Sequence, residues 1–264
     1  MKLFKKDALG NPFWVKRTLF FILGGLTLYR FKNLYNTKIN GIQNLENIPV
    51  RNVLFVSNHQ TYFADVALML LVFFSVKNKY KKIGPLWILF NPKLRIYFIA
   101  AYETMKAGFL PKVMARAGAI LVKRTWREKG KDISRDVDMK DQNMVRDALN
   151  DGWVITFPQG TTKPYAKGRK GTGFIIKENK PIVVPIMIDG MRRGFDKRGL
   201  VKKKKGVDIS LTIKPAMNIN YEDDPEDILN QVMQAIEQSE EFYPPNLKEM
   251  QDSVQDSDGP LLYD

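Results

Sequence analysis

Residues 52–76 read NVLFVSNHQTYFADVALMLLVFFSV. The apolar run Val53 to Val56 has the length and β-branched content of a buried strand, and the polar residues Ser57 to Thr61 break it. From Val66 to Val76 the chain is apolar on every side of a helix, as expected of a helix wholly buried or partly in lipid. The polar break between the two is the kind of edge where loops carry function.

The same reading extends along the chain. Further strands are expected at Lys38–Ile42, Ala119–Lys123, Trp153–Phe157, Ile182–Ile188 and Val207–Ile213, with the first run taken as Asn52–Ser57. Helices are expected at Ala64–Val76, Leu110–Ala117, Met139–Asn150 and Pro225–Glu241, the last opened by Asp224 as N-cap and Pro225 in the first turn. Strands alternating with helices indicate an α/β fold, a mainly parallel central sheet flanked by helices. Functional residues in such folds gather beyond the carboxyl ends of the strands. His59, Arg124 and Pro158 each follow an expected strand end, so their three segments are expected to converge.

His59 is the chain's single histidine. If the protein performs acid–base chemistry near neutral pH, His59 is the candidate, with Asn58, Gln60 and Asp65 beside it. A lone histidine is more often structural, and the polar neighbours and the strand edge weigh against that reading. The absence of Cys excludes thiolate catalysis, thiolate zinc sites and disulfides, and no metal site is expected from one His and carboxylates. No G-x-S-x-G string occurs, and GRKGTG, residues 168–173, lacks the spacing of a phosphate-cradling loop, so it reads as a flexible basic loop.

The net charge of +14 is unevenly placed. Between Asp223 and Asp264 twelve acidic residues face one lysine, a balance of −11 that offsets +25 on residues 1–222. So basic a body suits an anionic partner: nucleic acid, anionic lipid headgroups or a polyphosphorylated substrate. Thr18 to Tyr29, TLFFILGGLTLY, lies between Lys16–Arg17 and Arg30, with Trp14 before it. Twelve residues are too few to span a bilayer, which takes about 20, and no small-residue cleavage site follows, so an interfacial, membrane-associating helical segment is expected, with a buried core helix as the alternative. Lys202–Lys205, with Arg192, Arg193, Lys197 and Arg198 upstream, is a candidate headgroup contact or an exposed hairpin loop. Base-stacking aromatic motifs are missing and the basic residues are scattered, so nucleic acid is the weakest of the partners.

Four ordered segments carry a resemblance. NHQTYFAD (58–65), GAILVKR (118–124), FPQGTT (157–162) and VVPIMI (183–188) resemble the successive blocks of the glycerolipid acyltransferases typified by lysophosphatidic acid acyltransferase. In that family four residues separate the His and Asp of the first block; here five separate His59 from Asp65, and Ala64 holds the usual position. On an ideal helix that places them about 240° apart, so they meet only if His59 lies in a turn ahead of the helix. In the third block the family's Glu and Arg are replaced by Gln159 and Thr162, which removes a carboxylate and a bidentate phosphate fork.

The resemblance implies His59 as general base oriented by Asp65, and substrate-binding roles for Asn58, Arg124, Gln159, Gly160, Thr161 and Thr162. Backbone N–H groups around Gly160 are the oxyanion candidates. It also implies an acyl thioester donor, either acyl-CoA or acyl carrier protein, a lysolipid acceptor, no cofactor, and residence on the cytoplasmic face of a membrane. The acceptor is lysophosphatidate, another lysophospholipid or an amino-acid-based lipid. The organisation expected is an interfacial segment at 1–35, an acyltransferase domain at 36–243 and an acidic disordered tail at 244–264. The departures at 65, 159 and 162 leave open a lipid-binding member without catalysis.

Overall fold

The computed structural model describes residues 6–90, 94–102, 113, 116–123, 127–128, 131–132 and 139–255. A seven-stranded sheet runs through it. Its strands are β1 (Asn36–Asn40), β2 (Val53–Ser57), β3 (Ile96–Ala101), β4 (Ala119–Val122), β7 (Trp153–Thr156), β8 (Ile182–Asp189) and β9 (Asp208–Ile213), while β5 (Arg127–Glu128) and β6 (Lys131–Asp132) form a separate hairpin. The order across the sheet is β1-β9-β8-β2-β7-β3-β4, and every neighbouring pair is parallel except β8 with β9.

All six expected strands form, within two residues at either end. Strand β3 was not among the expected strands, although IYFIAA, residues 96–101, is apolar throughout and its first three residues are buried. Every residue of β2 is buried, because both faces of the sheet are covered. Val53 and Phe55 point into one core, with Phe73 and Trp153; Leu54 and Val56 point into the other, with Val154 and Leu149. That is the two-residue alternation of a strand read between two apolar layers.

On the first face pack α1 (Phe13–Tyr29), α2 (Ala64–Lys77) and the short α3 (Trp87–Phe90). Helix α2 is buried almost throughout, which answers its apolar periphery. Helix α1 buries Phe20 and Lys16 but leaves Trp14, Ile22, Leu26 and Tyr29 more than half exposed. Among the described residues no helix is long and apolar enough to cross a membrane. A buried ion pair, Lys16 with Asp7 at 3.3 Å, anchors the start of α1, and the Lys16 ammonium lies 4.0 Å from the centre of the Tyr97 ring in β3.

On the second face pack α4 (Met139–Asp151), α5 (Lys170–Asn179) and α7 (Pro225–Ala235). Val145, Ala148 and Leu149 make the inward stripe of α4, and Ile228, Leu229, Val232 and Met233 that of α7. Helix α7 stops short of the expected Glu241 because Glu237 turns into the left-handed region at φ 55°. Asp224 sits at its N-cap position with extended backbone but makes no side-chain capping bond.

Two expectations are corrected. GRKGTG is not a flexible loop; from Lys170 it is the first turn of α5. Its Gly173 serves close packing, since a Cβ there would lie 1.9 Å from the Pro225 carbonyl at the start of α7. Within the acidic segment expected to be disordered from 244, Leu247–Gln255 forms a helix, α8. Leu247, Met250 and Gln251 share one partly covered face of it, and Gln251 donates to the Pro164 carbonyl at 3.1 Å. Most of the helix expected over Leu110–Ala117 lies outside the described residues.

Candidate active site

Strands β8, β2 and β7 are adjacent and parallel at the centre of the sheet, so the segments leaving their carboxyl ends meet. From β2 comes the turn with His59; from β7, FPQGTT; from β8, Gly190 and the short helix α6 (Met191–Gly194). Strand β4 lies three strands from β2, about 14 Å away along the sheet. Arg124, which follows it, is outside the described residues.

The extra residue between His59 and Asp65 is absorbed by the turn. Residues 58–63 precede α2, Asp65 sits in the helix's first turn, and His59 Nδ1 lies 2.9 Å from Asp65 Oδ2. The carboxylate also accepts from the backbone N–H of Gln60 (2.6 Å) and Thr61 (3.0 Å) and from the Thr61 hydroxyl (2.8 Å). Four donors around a fully buried carboxylate hold it in one orientation, which is what makes its burial tolerable. Because a carboxylate oxygen accepts, Nδ1 is assigned as the donor, and Nε2 is left to take a proton. The imidazole itself is 13% exposed, enough for a substrate to reach it.

Phe157 supplies the floor of the site. Its ring stacks on the imidazole with centroids 3.8 Å apart and planes 19° apart. Beyond it the chain makes a turn in which Gly160 N–H donates to the Phe157 carbonyl at 2.9 Å, with Gly160 at φ 63°. The Gly160 N–H is therefore committed to the turn, and the residue's part is the left-handed corner that glycine adopts without strain.

Other expected site residues hold the framework. Asn58 turns its amide onto β8, donating from Nδ2 to the Ile188 carbonyl and accepting from the Ile188 N–H, both at 2.8 Å. Gln159 is 1% exposed: its Nε2 donates to the Ala166 carbonyl (3.0 Å) and to Gln238 Oε1 (3.1 Å), and the same Oε1 accepts from Tyr165 N–H at 3.1 Å. Thr161 Oγ1 accepts from Lys163 N–H at 3.2 Å, and the Thr162 side chain is buried.

Arg192 is the residue that sequence reading misplaced. Expected among the surface cations, it turns inward, and its Nη2 donates to the carbonyls of His59 (3.1 Å) and Thr162 (2.6 Å). Its position just past the end of β8 was the available signal. Lys202–Lys205, by contrast, are all exposed, in the connection before β9.

An apolar cavity of about 290 Å³ opens between α1 and α2. Phe63 and Val66, on either side of Asp65, line one part of it, with Leu23, Leu70 and Leu200. Among the described residues no group of three or more His, Cys, Asp or Glu is placed to hold a metal ion.

Residues 40–189 match the family described as Acyltransferase. A search of curated proteins finds no match. Among solved structures, the crystal structure of the 1-acyl-sn-glycerophosphate (LPA) acyltransferase, PlsC, from Thermotoga maritima is similar in fold, with a TM-score of 0.51 at 17% identity over 84% of this chain and 78% of that one.

Proposed function

The chain belongs to the acyltransferase family, and from that premise we propose that it moves a fatty acyl group from an acyl thioester to a lysolipid hydroxyl at a membrane surface, with His59 as general base. The observation that carries this reading is the His59–Asp65 pair, intact at 2.9 Å despite its unusual spacing. Asp65 orients the imidazole and stabilises the imidazolium once it forms. His59 Nε2 takes the proton of the acceptor hydroxyl as its oxygen attacks the thioester carbonyl. The tetrahedral intermediate expels the thiolate, which the imidazolium protonates, so an ester and a free thiol leave and the enzyme is restored. The backbone N–H groups of Thr161 and Thr162, past the Gly160 turn, are the proposed donors to the oxyanion.

The cavity beside Phe63 and Val66 supports a hydrocarbon chain on the donor, since its lining is apolar and includes residues on either side of Asp65 in the chain. The donor is acyl-CoA or acyl carrier protein. The exposed apolar side of α1, with Trp14 and Tyr29 near its ends, and the exposed Lys202–Lys205 support an anionic membrane surface as the place of action, on the cytoplasmic face.

For the acceptor, lysophosphatidate or another lysophospholipid is the first reading, with Arg124 as the headgroup ligand. One observation favours a second: position 162 holds a buried threonine and position 159 a buried amide, so the third segment presents no charge of its own. A lyso-lipid without a phosphate monoester, such as an amino-acid lipid, suits that segment.

The test is thiol release from long-chain acyl-CoA and acyl carrier protein, with a panel of lysolipids, for wild type and His59→Ala. Acceptor-dependent release that falls by about 10² to 10⁴ in the variant is expected. Full activity in the variant, or no release with any acceptor, would sink the reading.

A further inference from the structure

We propose that Arg192 is a positioning residue that holds the His59 turn and the Thr161–Thr162 segment in register across the mouth of the site. One guanidinium nitrogen bridges two carbonyls from segments about a hundred residues apart in sequence, those of His59 and Thr162. The backbone N–H of Arg192 also donates to Gln60 Oε1 at 3.4 Å, and Gln60 donates in turn to the Ile188 carbonyl at 3.0 Å. Arg192 thus ties the ends of β2, β7 and β8 at a single point.

The chemistry calls for arginine. The two N–H groups of Nη2 are fixed in the guanidinium plane and can each meet one carbonyl, whereas an ammonium on a flexible stem fixes neither direction. Arg192 Nε is buried with no hydrogen-bond partner, so the side chain is held inward at a cost, and the two carbonyl bonds are what offsets it. Burial pushes the guanidinium below its usual proton affinity, while Asp65, Asp189 and Tyr165 around it act the other way. At position 162, where the family block carries an arginine, the backbone carbonyl of a threonine receives a guanidinium delivered from the short helix past β8.

The inference rests on the proposed acyl transfer for its kinetic arm, and has a second arm that does not. His59 is the chain's one histidine, so protein labelled with [15N]histidine gives a single imidazole spectrum. In wild type, one tautomer protonated at Nδ1 is expected. In Arg192→Met the signals should move toward an average of the two tautomers or broaden, with the melting temperature within about 5 °C of wild type. Arg192→Lys should be intermediate, and it carries the same readout if the methionine variant fails to fold. In the transferase assay Arg192→Met should lose about 10² in kcat, the cost of a small misplacement of reacting groups, with KM for the acceptor changed less than about threefold.

A wild-type imidazole spectrum in a folded Arg192 variant overturns the proposal. If the spectrum changes as expected but wild type transfers no acyl group to any acceptor, the proposed function fails and the positioning role of Arg192 stands.

Discussion

The imidazole of His59 lies flat on the ring of Phe157, 3.8 Å between centroids, although 98 positions separate the two residues. The stack and the Asp65 bond together fix the plane of the imidazole and its Nδ1 edge. Phe157→Leu keeps an apolar floor but removes the ring face. It should lower kcat/KM about 3- to 10-fold, the worth of about 0.5–1.5 kcal/mol for an aromatic pair, with little change in melting temperature. Steady-state kinetics of the folded variant checks this.

Asp65→Asn should be far more damaging. An amide has one acceptor oxygen where the carboxylate has two, and its NH2 must face at least one of the donors now supplied by Gln60, Thr61 and His59. Turnover should fall by about 10⁴, as for a triad carboxylate replaced by its amide, and stability by about 1–3 kcal/mol. Denaturant unfolding beside kinetics separates the two effects.

Restoring the family's acid at position 159 should destabilise this chain. In Gln159→Glu an acceptor replaces the donor that now meets the Ala166 carbonyl and Gln238 Oε1. The buried carboxyl then prefers its neutral form, so its folded-state pKa is raised and stability is lost as pH rises through that pKa. Melting temperatures should lie closer to wild type at pH 5 than at pH 8. An equal deficit at both pH values would show that the glutamate finds another partner.

Lys16 gives a pH dependence of opposite origin. Burial lowers its pKa from 10.5 to about 8, against the pull of Asp7. Between those values the unfolded chain holds a proton that the folded one has released, so this group makes stability rise with pH from about 8 to 10.5, by up to about 1.4 kcal/mol per unit. Relative to Lys16→Met, wild type should therefore gain stability across that window. Below pH 8, Lys16→Met leaves the Asp7 carboxylate buried without its cation and should cost about 3–5 kcal/mol, whereas the double variant with Asp7→Asn should recover much of it. A double-mutant cycle by chemical denaturation at pH 7 and 9.5 measures both.

Gly173→Ala tests the helical reading of GRKGTG. The added methyl would sit 1.9 Å from the Pro225 carbonyl, so α5 and α7 must part. A loss of about 1–3 kcal/mol is expected, where a substitution in a flexible loop would cost almost nothing.

Much of this molecule is written locally. The runs that became β2, β4, β7, β8 and β9 are short, apolar and bounded by polar residues, and their alternation with helices implied the mainly parallel sheet. The choice of His59 followed from there being no other histidine, and its meeting with Asp65 needed only a turn ahead of α2. Periodicity reports what a segment does with its own backbone, and for these elements that was sufficient.

The tertiary structure decided whom each side chain meets. That β2 lies between β7 and β8 is a matter of strand order, which no local pattern encodes, and it is this order that lays Phe157 under His59 and turns Arg192 inward to two carbonyls. The same holds for Gly160, whose N–H goes to its own turn, for Gln159, which faces Gln238 79 positions away, and for Gly173, whose missing side chain admits α7. Residue type sets what a group can donate, accept or pack; burial among distant elements selects which of those capacities is used, because a buried polar group must find its partner wherever the fold has placed one.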